Sequence, residues 1–115
     1  ANDDGIHDVP IREGEVLMLP PHTIHAPQRP QEGSVGIVVE APRQDGMLEG
    51  FEWYCFDCET RVHRVEVPLG GPQGIVDALP KIYDAFFEDE EARTCPKCGT
   101  LHPGKGQAPE GWINI

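Results

Sequence analysis

Apolar residues near the front of the chain fall in two short runs. Val16-Leu-Met-Leu19 is nearly continuous, so Glu15–Leu19 predicts a strand buried on both faces. A second predicted strand, Val35–Glu40, ends in a carboxylate. Between them lies a loop rich in Pro and His, and residues 41–50 (APRQDGMLEG) read as a turn-rich connector. Phe51–Cys55 and Arg61–Leu69 predict a hairpin. Its second arm alternates Val62, Arg64 and Glu66 against His63, Val65 and Val67, which leaves the register open. Gly70-Gly-Pro-Gln-Gly74 reads as a loop. Beyond it Ile75, Val76, Leu79, Ile82, Tyr83, Phe86 and Phe87 recur at helical spacing and predict a helix near 75–92. Pro80 is expected to start its main segment, because proline is tolerated in a first turn and costly inside. Glu88-Asp-Glu-Glu91 reads as a solvated face whose charges oppose the helix macrodipole, so that end is expected to fray. The tail, 105–115, is expected to be loosely held.

Composition narrows the class. The chain has 115 residues, one domain's worth, with 20 Asp and Glu against 9 Lys and Arg and a net charge of -11. That balance argues against a nucleic-acid binder, which needs a basic surface. Gly (13) and Pro (12) are abundant, which favours short strands and turns over a helical bundle. No apolar run approaches the roughly 18–20 residues of a membrane span, and no secretory leader opens the sequence. A soluble, acidic, cytoplasmic protein is expected. No nucleophile motif, phosphate loop or aromatic-basic patch is present.

The four cysteines form two C-x2-C pairs, Cys55-Phe-Asp-Cys58 and Cys95-Pro-Lys-Cys98. Two such pairs read as a tetrahedral thiolate metal site, each pair covering one face of the ion. Gly99 allows the second knuckle to turn with positive φ, whereas Glu59 occupies that slot in the first and turns less freely. The ligand set suits zinc or iron, and a disulfide-bonded arrangement is the alternative.

A second constellation follows the first predicted strand. His22 and His25 lie in a loop preset by Pro20, Pro21 and Pro27, and Arg29 comes four residues after His25. Imidazoles suit a first-row metal. An arginine can grip a carboxylate through two parallel hydrogen bonds. With Glu40 closing the next strand, the set suits a small zwitterionic substrate. By spacing alone each of these residues is also an ordinary surface group, and His7, His63 and His102 have no partner at ligand spacing.

Taken together, Gly14-Glu-Val-Leu-Met-Leu-Pro-Pro-His-Thr-Ile-His-Ala-Pro-Gln-Arg-Pro30 resembles the second cupin motif of the 3-hydroxyanthranilate 3,4-dioxygenases. The form His-x-Pro-Gln-Arg is that family's own version of the motif. The likeness continues through Val38-Val-Glu40, Gly50-Phe-Glu-Trp-Tyr-Cys55, Val62-His-Arg-Val65, Cys95-Pro-Lys-Cys98-Gly99 and His102-Pro-Gly104. It implies a mainly β fold in which residues 1–50 are strands of a small cupin barrel (a jelly roll). Residues 51–104 would be a hairpin-plus-helix extension with a rubredoxin-like metal site, as in the bacterial branch.

The resemblance also implies a chemistry. Such enzymes hold Fe(II) with two histidines and a glutamate, and open the ring of 3-hydroxyanthranilate with O2. Both oxygen atoms enter 2-amino-3-carboxymuconate semialdehyde, which closes to quinolinate on the way to NAD in tryptophan (kynurenine) degradation. Carried over, His25 is an iron ligand, Arg29 holds the substrate carboxylate and Glu40 accepts a hydrogen bond from a ring substituent. Cys55, Cys58, Cys95 and Cys98 would hold a second iron, or zinc, away from the chemistry. Apart from the resemblance, the expected role of that ion is a structural staple that ties the hairpin to the segment after the helix. A homodimer is implied for the complete enzyme. His22 matches a position without a ligand role.

The family's first motif, which supplies the remaining iron ligands, has no match in this sequence and is expected upstream of Ala1. The chain is therefore expected to be the C-terminal part of the enzyme and inactive alone. Two other readings stay open: a non-catalytic four-cysteine module with a structural or electron-transfer role, and a cupin fragment that complements another chain.

Overall fold

A computed structural model describes residues 5–68 and 71–104. The expected tail, 105–115, the last residue of the predicted second arm, 69, and the first of the predicted loop, 70, lie outside the described residues. Four elements follow one another: β1 (Leu48–Tyr54), β2 (Arg61–Pro68), α1 (Gly71–Glu88) and the short α2 (Glu90–Arg93).

The hairpin forms as the alternation predicts, and β1 starts a little earlier than expected. The strands are antiparallel, with Phe51 opposite Val65, Glu52 opposite Arg64 and Trp53 opposite His63. This register puts Phe51, Trp53, His63 and Val65 on one face, because side chains alternate along a strand. The pairing shifts between Trp53 and Tyr54, where Tyr54 faces Arg61 and Val62 is the extra residue. In an unbroken strand residues 61 and 64 would point to opposite sides. The bulge lets both Arg61 and Arg64 reach the Glu52 carboxylate, whose side chain is 5% exposed. Burial pushes that carboxyl upward, but the Tyr54 hydroxyl and the two guanidiniums outweigh it and hold it below its ordinary value.

The second half of helix α1 lays Tyr83 and Phe86 on the hairpin's apolar face. Phe86, 2% exposed, stacks on Trp53 at 4.2 Å between ring centroids. Tyr83 meets Phe51 and Trp53 edge-on at 6.5 and 5.8 Å. The helix departs from the sequence expectation at both ends and in the middle. It begins at Gly71, inside the expected loop, and Pro80 lies within it. Pro80 has no N–H for the carbonyl four residues back, a cost of about 3 kcal/mol. Burying Phe86 is worth about 1.5–3 kcal/mol, and stacking it on Trp53 about 0.5–1.5 more. Those contacts anchor the segment beyond Pro80 on the hairpin.

The acidic run Glu88–Glu91 does not oppose one long dipole. The chain breaks at Asp89, whose carboxylate accepts the Ala92 N–H at 3.0 Å as the N-cap of α2. Glu90 and Glu91 then occupy the first turn of a new helix, where negative charge is favourable.

The two strands expected in residues 1–50 do not form. From Ile6 to Met47 the described backbone has turns and irregular stretches only. Val35 is 87% exposed and Val39 92%. A strand needs a second backbone for its ladder and something apolar to cover its face, and neither run meets one among the described residues. The β content expected there is absent among the described residues, which carry strands of 7 and 8 residues against helices of 18 and 4.

Candidate metal centre

The hairpin tip and the chain after α2 build two copies of one turn. In the first, the Cys55 N–H donates to the Thr60 carbonyl at 2.8 Å and the Glu59 N–H donates to the Cys55 carbonyl at 2.9 Å. In the second, the Cys95 N–H donates to Thr100 at 2.9 Å and the Gly99 N–H to Cys95 at 3.0 Å. Each turn is closed by a strand pair, β1–β2 for the first and the Thr94–Leu101 bridge for the second. Both need a left-handed residue after the second cysteine, and Glu59 (φ 59°) and Gly99 (φ 75°) supply it. Glycine does so freely, while Glu59 carries the strain of a Cβ in that region.

The two turns face each other and bring all four Sγ atoms within 4.8 Å of one another. Cys55 and Cys98 are 3.6 Å apart, as are Cys58 and Cys95. Metal–sulfur bonds of about 2.3 Å in a tetrahedron put neighbouring sulfurs about 3.8 Å apart, so the donors fit an ion with little adjustment. A disulfide needs about 2.05 Å, and all four cysteines are free. Cys55 and Cys95 are 1% and 2% exposed, whereas Cys58 is half-buried and Cys98 is exposed.

The neighbours of the sulfurs set their acidity. At Cys55 the Cys58 N–H pulls the pKa down, but burial and the sulfurs of Cys98 and Cys58 prevail and raise it to about 11. At Cys58 the Thr60 hydroxyl, 3.3 Å from the sulfur, and the Thr60 N–H bring it down to about 6. Thr100 stands across from Cys98 in the same way, its hydroxyl oxygen 3.2 Å from the sulfur. The metal-free site thus already favours thiolate at Cys58.

Sequence reading passed over several groups that build this site. Thr60 and Thr100 were signalled by the shared pattern C-x-x-C-x-T. Asp57 gave no sequence signal; its carboxylate accepts the Thr100 hydroxyl proton at 2.8 Å and so joins the two turns. His102 is buried against Phe56 and Phe86, with ring centroids at 4.8 and 5.2 Å. Its N–H donates to the Arg93 carbonyl at 2.8 Å, and Arg93 donates back to its carbonyl at 3.2 Å. Burial, with the Arg93 charge, lowers the His102 pKa. The ring packs the second turn onto the first rather than reaching the sulfurs.

The other expected site residues sit in the irregular segment. His25 is exposed, with Nδ1 2.8 Å from the Thr23 carbonyl. A carbonyl only accepts, so Nδ1 carries the proton and Nε2 presents its lone pair outward. Arg29 donates to the Gly36 carbonyl at 3.3 Å, and Glu40 pairs with Arg43 at 2.8 Å. Among the described residues the four cysteines are the one group of three or more possible metal ligands that converge, and His25 belongs to none. His22 lies on a turn at φ 63°.

Comparison with known proteins bears on both halves of the chain. The family model described as 3-hydroxyanthranilic acid dioxygenase matches residues 1–87. A 3-hydroxyanthranilate 3,4-dioxygenase of Jannaschia sp. (strain CCS1) is 58% identical over 109 residues, covering 95% of this chain and 58% of the relative. That of Brucella anthropi is 57% identical over the same shares, and that of Burkholderia cenocepacia 54% identical over 84% of this chain and 53% of the relative. The chain therefore spans a little over half the length of the relatives it matches. The family model ends before Cys95, so the four-cysteine unit straddles its limit.

Proposed function

Because this chain belongs to the 3-hydroxyanthranilic acid dioxygenase family, we propose that it supplies the substrate-holding half and the accessory metal centre of a 3-hydroxyanthranilate 3,4-dioxygenase. The observation that carries this is the 58% identity to the Jannaschia enzyme over 95% of the chain. Residues 1–50 would complete a cupin barrel, which explains why so many of their apolar side chains stand exposed. Residues 51–104 form the extension. The complete enzyme would be a cytoplasmic homodimer.

His25 suits an iron ligand, since its Thr23 hydrogen bond leaves Nε2 as the free donor and fixes the ring. Arg29 would hold the substrate carboxylate, the role its planar fork suits. Glu40 would accept a hydrogen bond from the ring's amino or hydroxyl group, exchanging its present Arg43 partner for the substrate. Bound iron(II) supplies the activation of O2 toward the aromatic ring. Cys55, Cys58, Cys95 and Cys98 would hold the second ion, iron or zinc, clamping the hairpin to the segment after α2. That ion acts as a staple for a fold whose core is small.

A graft tests the dioxygenase reading. This chain replaces the matching 58% of the Jannaschia enzyme, and the chimera is loaded with iron(II). Consumption of 3-hydroxyanthranilate with equimolar O2, lost in H25A and strongly reduced in R29A, is expected. A folded, iron-bound chimera that consumes neither would overturn it.

A further inference from the structure

The hydroxyl of Thr100 has two claimants and one proton. Its oxygen lies 2.8 Å from Asp57 Oδ2 and 3.2 Å from Cys98 Sγ. While Cys98 is a thiol the three groups form a relay, S–H to hydroxyl to carboxylate. Once the sulfur gives up its proton to bind a metal, both neighbours of the hydroxyl are acceptors, and the carboxylate oxygen is the nearer and harder one. Across the site, Thr60 lies 3.3 Å from Cys58 Sγ. The first turn has Asp57 at its third position and the second has Lys97, so the two otherwise matching turns differ in this group.

We propose that Asp57 is a positioning residue for the four-cysteine centre. It takes the Thr100 proton and withholds it from Cys98, so Cys58 carries a hydroxyl hydrogen bond and Cys98 does not. The inference rests on the reading of this centre as a thiolate metal site. Its consequence is an asymmetric ion. Cys98 is the exposed sulfur and also the more electron-rich one. A hydrogen bond to a thiolate withdraws charge from it and stabilises the reduced form of an iron bound there, so these hydroxyls set the potential of the centre.

The test is a spectroelectrochemical titration of the 115-residue chain loaded with iron alone. Thr60→Val is expected to lower the Fe(III)/Fe(II) potential, and Thr100→Val to leave it in place. Asp57→Ala frees the Thr100 hydroxyl to turn to Cys98, so the potential rises. Removing the Asp57 charge also raises it, and the double variant Asp57→Ala/Thr100→Val measures that part alone. The rise in Asp57→Ala is expected to exceed the rise in the double variant. Equal lowering by Thr60→Val and Thr100→Val overturns the proposal, as do equal rises in the single and double Asp57 variants. The sulfur-to-metal charge-transfer band of the cobalt(II)-loaded chain gives a second readout, shifted by Thr60→Val and unmoved by Thr100→Val. Failure of either metal to take up four sulfurs would instead refute the thiolate reading itself.

Discussion

The paired turns allow one physical term, the cost of a side chain in the left-handed region, to be measured twice with opposite sign. At Gly99 (φ 75°) an added Cβ would meet nothing within 4 Å. The cost of Gly99→Ala is therefore conformational, about 1–2 kcal/mol for the left-handed backbone. It is reduced by the ~0.4–1 kcal/mol that alanine gains from a stiffer unfolded chain. The net loss is about 1 kcal/mol. Glu59 (φ 59°) occupies the same slot of the other turn. The hydrogen bond that its carboxylate accepts from the Ile6 N–H is long, at 3.4 Å, and exposed, so losing it costs little. Glu59→Gly should therefore relieve strain and gain about 0.5 kcal/mol after the added entropy of glycine. Metal binds the formed turns, so stability and metal retention move together, a factor of ten for each 1.4 kcal/mol. Competition of the zinc-loaded chain against a chromophoric chelator should show about fivefold weaker retention in Gly99→Ala. Glu59→Gly should hold zinc slightly more tightly, with urea midpoints moving the same way. An unchanged Gly99→Ala, or a Glu59→Gly that loses metal, would refute the strain argument.

Other outcomes follow from the packing and the charges. Phe86→Ala should cost about 3–5 kcal/mol, because the ring is 2% exposed and stacks on Trp53, and urea unfolding of the metal-loaded chain reads it. Asp89→Ala should cost about 1 kcal/mol and speed hydrogen exchange at the Ala92 amide, the one it caps. In the metal-free chain at pH 7, limited iodoacetamide should label Cys58 well before Cys55, since their pKa values stand at about 6 and about 11. The linkage has opposite signs. Cys58 is depressed from 9.0, so its stabilisation is complete above that value and disappears as the pH falls through about 6. Cys55 is raised from 9.0, so its contribution is present below that value and is lost as the pH rises through about 11. Equal labelling of the two cysteines at pH 7 would contradict the account of the Thr60 hydroxyl.

Much of the extension was legible because its signals are local. The C-x2-C spacing, the period-two pattern of the hairpin and the period-3.6 stripe ending in Phe86 and Phe87 each depend on residues a few positions apart. Pro80 misled for the same reason. Local propensity says that a helix starts there, whereas the helix runs through it from Gly71, and the contacts of Phe86 with Trp53 and His63 anchor the part beyond it. The acidic run was misread because charge alone does not show where a helix breaks, and Asp89 turns an unfavourable C-terminus into a capped N-terminus.

The sequence by itself determined the residue types of the thiolate site, the likeness to a dioxygenase family and the elements that local periodicity specifies. Tertiary structure decided the rest. The meeting of the two turns, the Asp57–Thr100 link between them and the burial of His102 join residues tens of positions apart, and no local pattern encodes such a distance. Strand formation in Val16–Leu19 and Val35–Val39 belongs to the same class. Their apolar sequence states a need for burial, and only a neighbouring backbone can turn that need into a sheet.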